Sequence, residues 1–134
     1  MSERDEIVET IHRLFIATDD RDWAGVREVL SPKVHFDMTS LVGGSPETRT
    51  PVEIADGWKT GLAAIDHVHH QAGNFLVDIT GDEATAFCYA VAYHHTAAML
   101  RRFVGSYDFH LVRTDRWRID VFKFNVKFVD PPLT

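Results

Sequence analysis

Eight histidines stand in this chain of 134 residues, and five of them fall in two clusters, His67/His69/His70 and His94/His95. Imidazole titrates close to neutrality, so a histidine turned into an apolar cavity beside a carboxylate is equipped to move protons to and from carbon. Asp19 is the carboxylate with a suitable phase. It follows Phe15 by four residues and Ile11 by eight, at the edge of an apolar helical stripe, whereas Asp20 falls on the opposite, solvent side. An anion at a helix C-terminus meets the negative end of the macrodipole, so an inward Asp19 calls for a donor or a cation. The alternative is that Asp19 caps a following helix or binds a surface arginine. For His70 the question is one of parity. On a strand it shares a face with Val68 and Ala72, while Phe75, Val77 and Ile79 have the opposite parity. A bulge near Gly73 brings both sets to one face and turns His70 inward; without it His70 lies outside.

The elements that must position these groups are legible in the pattern. Ser2, with Asp5 three residues on, starts a helix whose apolar face is Ile7, Val8, Ile11, Leu14 and Phe15. Asp19-Asp20-Arg21-Asp22 ends it and offers caps for a short second helix carrying Trp23, Val26, Val29 and Leu30, which stops at Ser31-Pro32. Val34 to Met38 reads as a short strand and Gly43-Gly44-Ser45-Pro46 as a loop. Thr50 and Pro51 open a third helix with Ile54, Trp58, Leu62 and Ile65 inward. From His67 the period becomes two, giving strands over 67–80, 83–97, 102–114 and 116–128 joined as an antiparallel meander. Helices followed by a long antiparallel sheet predict one α+β domain over residues 1–134, a curved, mostly antiparallel sheet wrapped around three N-terminal helices as a cone.

The second long strand is two-faced. Ala84, Ala86, Cys88, Ala90 and Ala92 form a small face ending in His94, and Phe87, Tyr89, Val91 and Tyr93 form a large one. The small face leaves room either for close helix packing or for a ligand. The bulky face needs its own cover, and a second copy of the chain is the natural one, as a dimer or trimer.

Several classes are disfavoured. The chain is 45% hydrophobic and 25% charged with a formal net charge of −6, and it shows no basic groove for nucleic acid. It has no apolar run able to span a bilayer and no signal-peptide pattern at Met1–Asp5. Cys88 is its one cysteine, which excludes an intrachain disulfide. A cytoplasmic location is the expectation.

The runs Thr18-Asp19-Asp20-Arg21-Asp22-Trp23, Leu30-Ser31-Pro32, Phe36-Asp37, His70-Gln71-Ala72-Gly73-Asn74, Gly81-Asp82-Glu83-Ala84, Gly105-Ser106-Tyr107 and Trp117-Arg118-Ile119 resemble SnoaL-like proteins of the nuclear transport factor 2 superfamily. Within that group the chain is most similar to scytalone dehydratase and hexachlorocyclohexane dehydrochlorinase. The resemblance implies that Asp19 is a catalytic aspartate orienting His70, that His94 is a second active-site histidine, and that Ser106 and Asp108 line the pocket. Thr18 and Met38 stand where the dehydratase has its carbonyl-polarising tyrosines, so the electrophilic half of that mechanism is either missing or supplied by other groups such as Ser106, Tyr107 or a water. Trp58 and Cys88 complete the expected substrate-binding set.

The expectation is therefore a cofactor-independent lyase, dehydratase-like, acting on a hydrophobic cyclic small molecule. Asp19 would fix the His70 tautomer, the free imidazole nitrogen would take a proton from carbon, and His94 would protonate a departing hydroxyl. The alternatives are an isomerase or cyclase on the same pocket, or a non-catalytic binding or assembly module like a dioxygenase small subunit. His67, His69 and His95 could meet on the outer face, but no carboxylate follows at ligand spacing, and no native metal is expected.

Overall fold

The computed structural model describes residues 1–133. Helix α1 (Glu3–Asp19) is capped by Ser2, whose Oγ accepts from the Asp5 amide at 3.1 Å. Ile7, Ile11, Leu14 and Phe15 bury its apolar face. Arg21 turns the chain with a φ of 57°, and Asp22 caps the short α2 (Trp23–Glu28) through the Gly25 amide.

Strand β1 (Leu30–Asp37) starts four residues earlier than the pattern predicts and ends one earlier. Ser31-Pro32, expected to stop the second helix, sit inside it. Proline is tolerated because the pairing of β1 with the last strand is interrupted between Leu30 and His35, where the missing N–H is not needed. Two small elements follow that periodicity did not reveal, α3 (Thr39–Val42) and β2 (Glu47–Arg49). Helix α4 (Pro51–Gly61) carries a full capping box between Thr50 and Glu53 with proline in its first turn.

The meander is β3 (His67–Thr80), β4 (Glu83–His95), β5 (Leu100–Arg113) and β6 (Trp117–Asp130). Strand order is β2-β1-β6-β5-β4-β3, antiparallel except for the β1–β6 pair. The sheet is thus a mixed one of six strands, and the architecture is α+β as expected.

Bulges bend this sheet around the helices. On β3, Gly73 pairs with Tyr89 but Leu76 with Phe87, so one extra residue lies between them, and Asn74 has a φ of 57°. Below the bulge Val68, His70 and Ala72 face inward; above it Phe75 and Val77 do. Two more irregularities fall along the β5–β6 pair. At one of them the strands approach so closely that a Cβ on Gly105 would lie 2.1 Å from the Asn125 carbonyl. On β4 the small residues Ala84 to Ala92 are all buried and Tyr89 on the opposite face is half exposed.

Candidate active site

Asp19 is the last residue of α1, and it grips His70 twice. Its Oδ1 accepts from the ring Nδ1 at 2.6 Å, and its Oδ2 accepts from the His70 backbone N–H at 2.8 Å. Both side chains are largely buried, at 12% and 15% exposure. A carboxylate can only accept here, so Nδ1 carries the proton and Nε2 presents a lone pair. Phe15, one helical turn before Asp19, stacks on the imidazole with centroids 5.0 Å apart and an interplanar angle of 14°. The helical phase of α1 therefore supplies both the acceptor and the surface that holds the ring flat. Arg21 donates to the carbonyls of Leu62 and Ile65 and ties the end of α1 to the segment after α4.

The His70 ring opens onto an internal cavity of about 300 Å³, at the small end of ligand-sized pockets. Its walls are mainly Met38, Trp58, Phe103, Phe122 and Phe124. Thr18 also lines it, with its hydroxyl donated to the Leu14 carbonyl at 2.7 Å. His94 is the second imidazole on the wall. It pairs across the ladder with Val68 while His70 pairs with Ala92, so the two histidines are diagonal neighbours on one face. Burial, helped by the charge repulsion of His70 and Arg101, pushes the His94 pKa down to about 4, against a weaker opposing pull from Asp19. His94 is thus a neutral imidazole at neutral pH, a donor or acceptor of hydrogen bonds rather than an acid.

The structure brings together Asp19, His70, His94, Thr18, Met38 and Trp58. It separates three others. Cys88 is fully buried in the core below the cavity and does not line it; burial pushes its thiol up to about 12. Ser106 and Asp108 point to the convex side of β5, where Asn125 Nδ2 donates to both, at 3.2 Å and 2.8 Å. The reason is parity: Phe103, Tyr107, Phe109 and Leu111 form the inward face of β5, so the residues between them face outward. Tyr107 takes the inward place expected of Ser106, and the alternation of apolar residues along 103–111 is the signal that identifies it. Phe103 and Leu41 are also on the wall, and no motif in the sequence points to them.

His67 and His95 pair on the sheet rim with their Nδ1 atoms 3.3 Å apart. Among the described residues, no group of three or more His, Cys, Asp or Glu is placed to hold a metal ion. A larger but more open depression of about 630 Å³ lies elsewhere, lined by Gln71, Tyr89, Ser106 and Asn125, and it contains no acid–base pair. Among the described residues, no helix is long and apolar enough to cross a membrane.

Comparison with known proteins agrees with this architecture. The Kfla4162 protein of Kribbella flavida is 25% identical, with a TM-score of 0.91 over 95% of this chain and 92% of its own. A "putative scytalone dehydratase" from Novosphingobium aromaticivorans shares 12% identity, with a TM-score of 0.84 over 95% of this chain and 85% of its own. A nuclear transport factor 2-like protein with a cystatin-like fold, from the same species, is 23% identical, with a TM-score of 0.78 over 93% and 82%. No curated protein matches the chain significantly. The model of the SnoaL-like domain matches residues 1–123, and the chain belongs to that family.

Proposed function

We propose that the protein is a cofactor-independent lyase that eliminates water, or a comparable leaving group, from a neutral, hydrophobic, cyclic small molecule. The observation that carries this reading is the double hold of Asp19 on His70, which leaves Nε2 as a fixed base at the wall of an aromatic cavity. A base so positioned accelerates proton abstraction by ~10²–10⁴-fold.

In this reading Nε2 of His70 removes a proton from the carbon next to a carbonyl. The C–H electron pair becomes the new C=C bond as the C–O bond to the β-hydroxyl breaks and its electrons leave with oxygen. The imidazolium, stabilised by Asp19, then returns its proton to the departing oxygen, so water is released and the base is regenerated. His94, neutral at working pH, holds the leaving oxygen by a hydrogen bond in place of protonating it. The mainly aromatic walls favour a ring-shaped, uncharged substrate. The dehydratase name given to the Novosphingobium relative is in keeping with this chemistry.

An isomerase would use the same base and return the proton to a different carbon. A binding or assembly module has no need of a buried, oriented imidazole. Exposed Leu76, Tyr89 and Phe128 also support self-association through the outer sheet face, as a dimer or trimer.

The test is a panel of cyclic β-hydroxyketones, followed by the absorbance of the conjugated enone. Turnover by the wild type that disappears in His70→Ala and Asp19→Asn, with folded circular-dichroism spectra, supports the lyase. Ketone isomerisation without loss of water favours the isomerase. Tight binding without any chemistry overturns both.

A further inference from the structure

We propose that the Tyr107 hydroxyl is the donor that binds the substrate's carbonyl oxygen and stabilises the negative charge developing there as His70 takes the proton. The inference rests on the small-molecule reading of the cavity, whose wall carries Tyr107 as well as the His70 base.

Tyr107 is 5% exposed and lines the cavity. Its hydroxyl makes no hydrogen bond among the described residues. The one buried side-chain nitrogen or oxygen there that is sealed off without a partner is Trp117 Nε1, so the Tyr107 hydroxyl is not sealed in the core and has access to the cavity its ring lines. Phenylalanine would fill the same space, so the hydroxyl adds nothing to the packing of the ring. A bound oxygen atom explains why a hydroxyl stands there.

The ring is held firmly enough to act as a preorganised donor. Phe109 stacks on it at 5.4 Å, and Phe122 and Phe124 pack at 5.2 Å and 4.9 Å. Phe15 completes the cage at 5.2 Å, the same Phe15 that stacks on His70. One side chain thereby packs against the rings of both the base and the donor. Burial raises the phenol pKa above its ordinary value, and Cys88 and Asp19 raise it further, so the hydroxyl keeps its proton throughout the working range. The other cavity donors differ in kind. The Thr18 hydroxyl is committed to Leu14, while the Trp58 indole and the His94 imidazole are weaker acids than a phenol and give less to an enolate-like oxygen.

The experiment uses 2-naphthol and naphthalene, two flat ligands differing by one oxygen, titrated by their own fluorescence against wild type and Tyr107→Phe. Wild type is expected to bind both, with 2-naphthol the tighter. Tyr107→Phe is expected to weaken 2-naphthol roughly 10-fold or more and to leave naphthalene unchanged. Its Tm should equal or exceed that of the wild type, since the lost hydroxyl has no partner in the protein. Unchanged 2-naphthol affinity with naphthalene still bound overturns the role of Tyr107 and leaves the cavity reading intact. A fall in Tm also overturns it, because the hydroxyl would then serve the fold. Failure of the wild type to bind either ligand overturns the cavity reading itself, and the inference with it.

Discussion

Asp19 accepts both the ring Nδ1–H and the backbone N–H of His70, at 2.6 Å and 2.8 Å, across 51 residues of sequence. The backbone contact fixes where β3 passes the end of α1, and the ring contact fixes the tautomer. A single carboxylate therefore couples the fold's closure to the readiness of the base. Asp19→Asn separates the two roles. The amide oxygen can still accept from the backbone, but the NH₂ then faces Nδ1 and moves the proton to Nε2, which removes the lone pair from the cavity. Activity should fall by ~10²–10⁴-fold and stability by about 2 kcal/mol. Imidazole ¹⁵N shifts of His70 report the tautomer directly, and an unchanged spectrum would contradict the assignment.

His94 makes stability depend on pH. Its folded pKa of about 4 lies below the ordinary 6.5, so the unfolded chain binds more protons between those values. Its contribution to stability is complete above pH 6.5 and is lost as pH falls toward 4. Discounted for solvent that reaches the ring, the effect is on the order of 1–2 kcal/mol. Tm measured from pH 7 to 4 should fall less steeply in His94→Gln than in the wild type; parallel curves would show that other groups dominate.

The β3 bulge depends on Asn74 in the left-handed region, with a φ of 57°. Asn74→Gly should fold with unchanged or slightly greater stability. Asn74→Val should cost about 1–2 kcal/mol, because a β-branched residue resists that backbone conformation. Urea midpoints distinguish the two. Equal midpoints would mean that the bulge is set elsewhere.

Gly105 admits no side chain. A Cβ there meets the Asn125 carbonyl at 2.1 Å and the Phe124 ring at 2.9 Å. Gly105→Ala should destabilise by about 1–3 kcal/mol and shift Phe124, which is part of the cavity wall. Thermal unfolding checks the first effect and weaker binding of naphthalene the second.

Much of this was readable in the residues, for stated reasons. Asp19 came from helical phase, and His70 from the clash of parity between Val68/His70 and Phe75/Val77, which only a bulge resolves; the β3–β4 register contains it. Periodicity could not reveal α3 and β2, because four-residue and three-residue elements carry too few positions for a repeat to register. The parallel pairing of β1 with β6 is a long-range choice with no local signature. Motif similarity puts Ser106 and Asp108 in the pocket, but the alternation of Phe103, Tyr107, Phe109 and Leu111 on the same strand turns both outward. Cys88 shared a face with the cavity residues but sits too deep along β4 to reach it.

The proposed removal of a proton from carbon by His70, held by Asp19, can be followed without any leaving group. The most direct test is deuterium incorporation at the α-carbons of 2-tetralone, a flat cyclic ketone, followed by NMR in heavy water. Wild type should accelerate exchange above the buffer rate, and His70→Ala, still folded, should lose that acceleration by roughly 10² or more. Equal exchange by wild type and His70→Ala, or none by the wild type with the ketone bound, would contradict it.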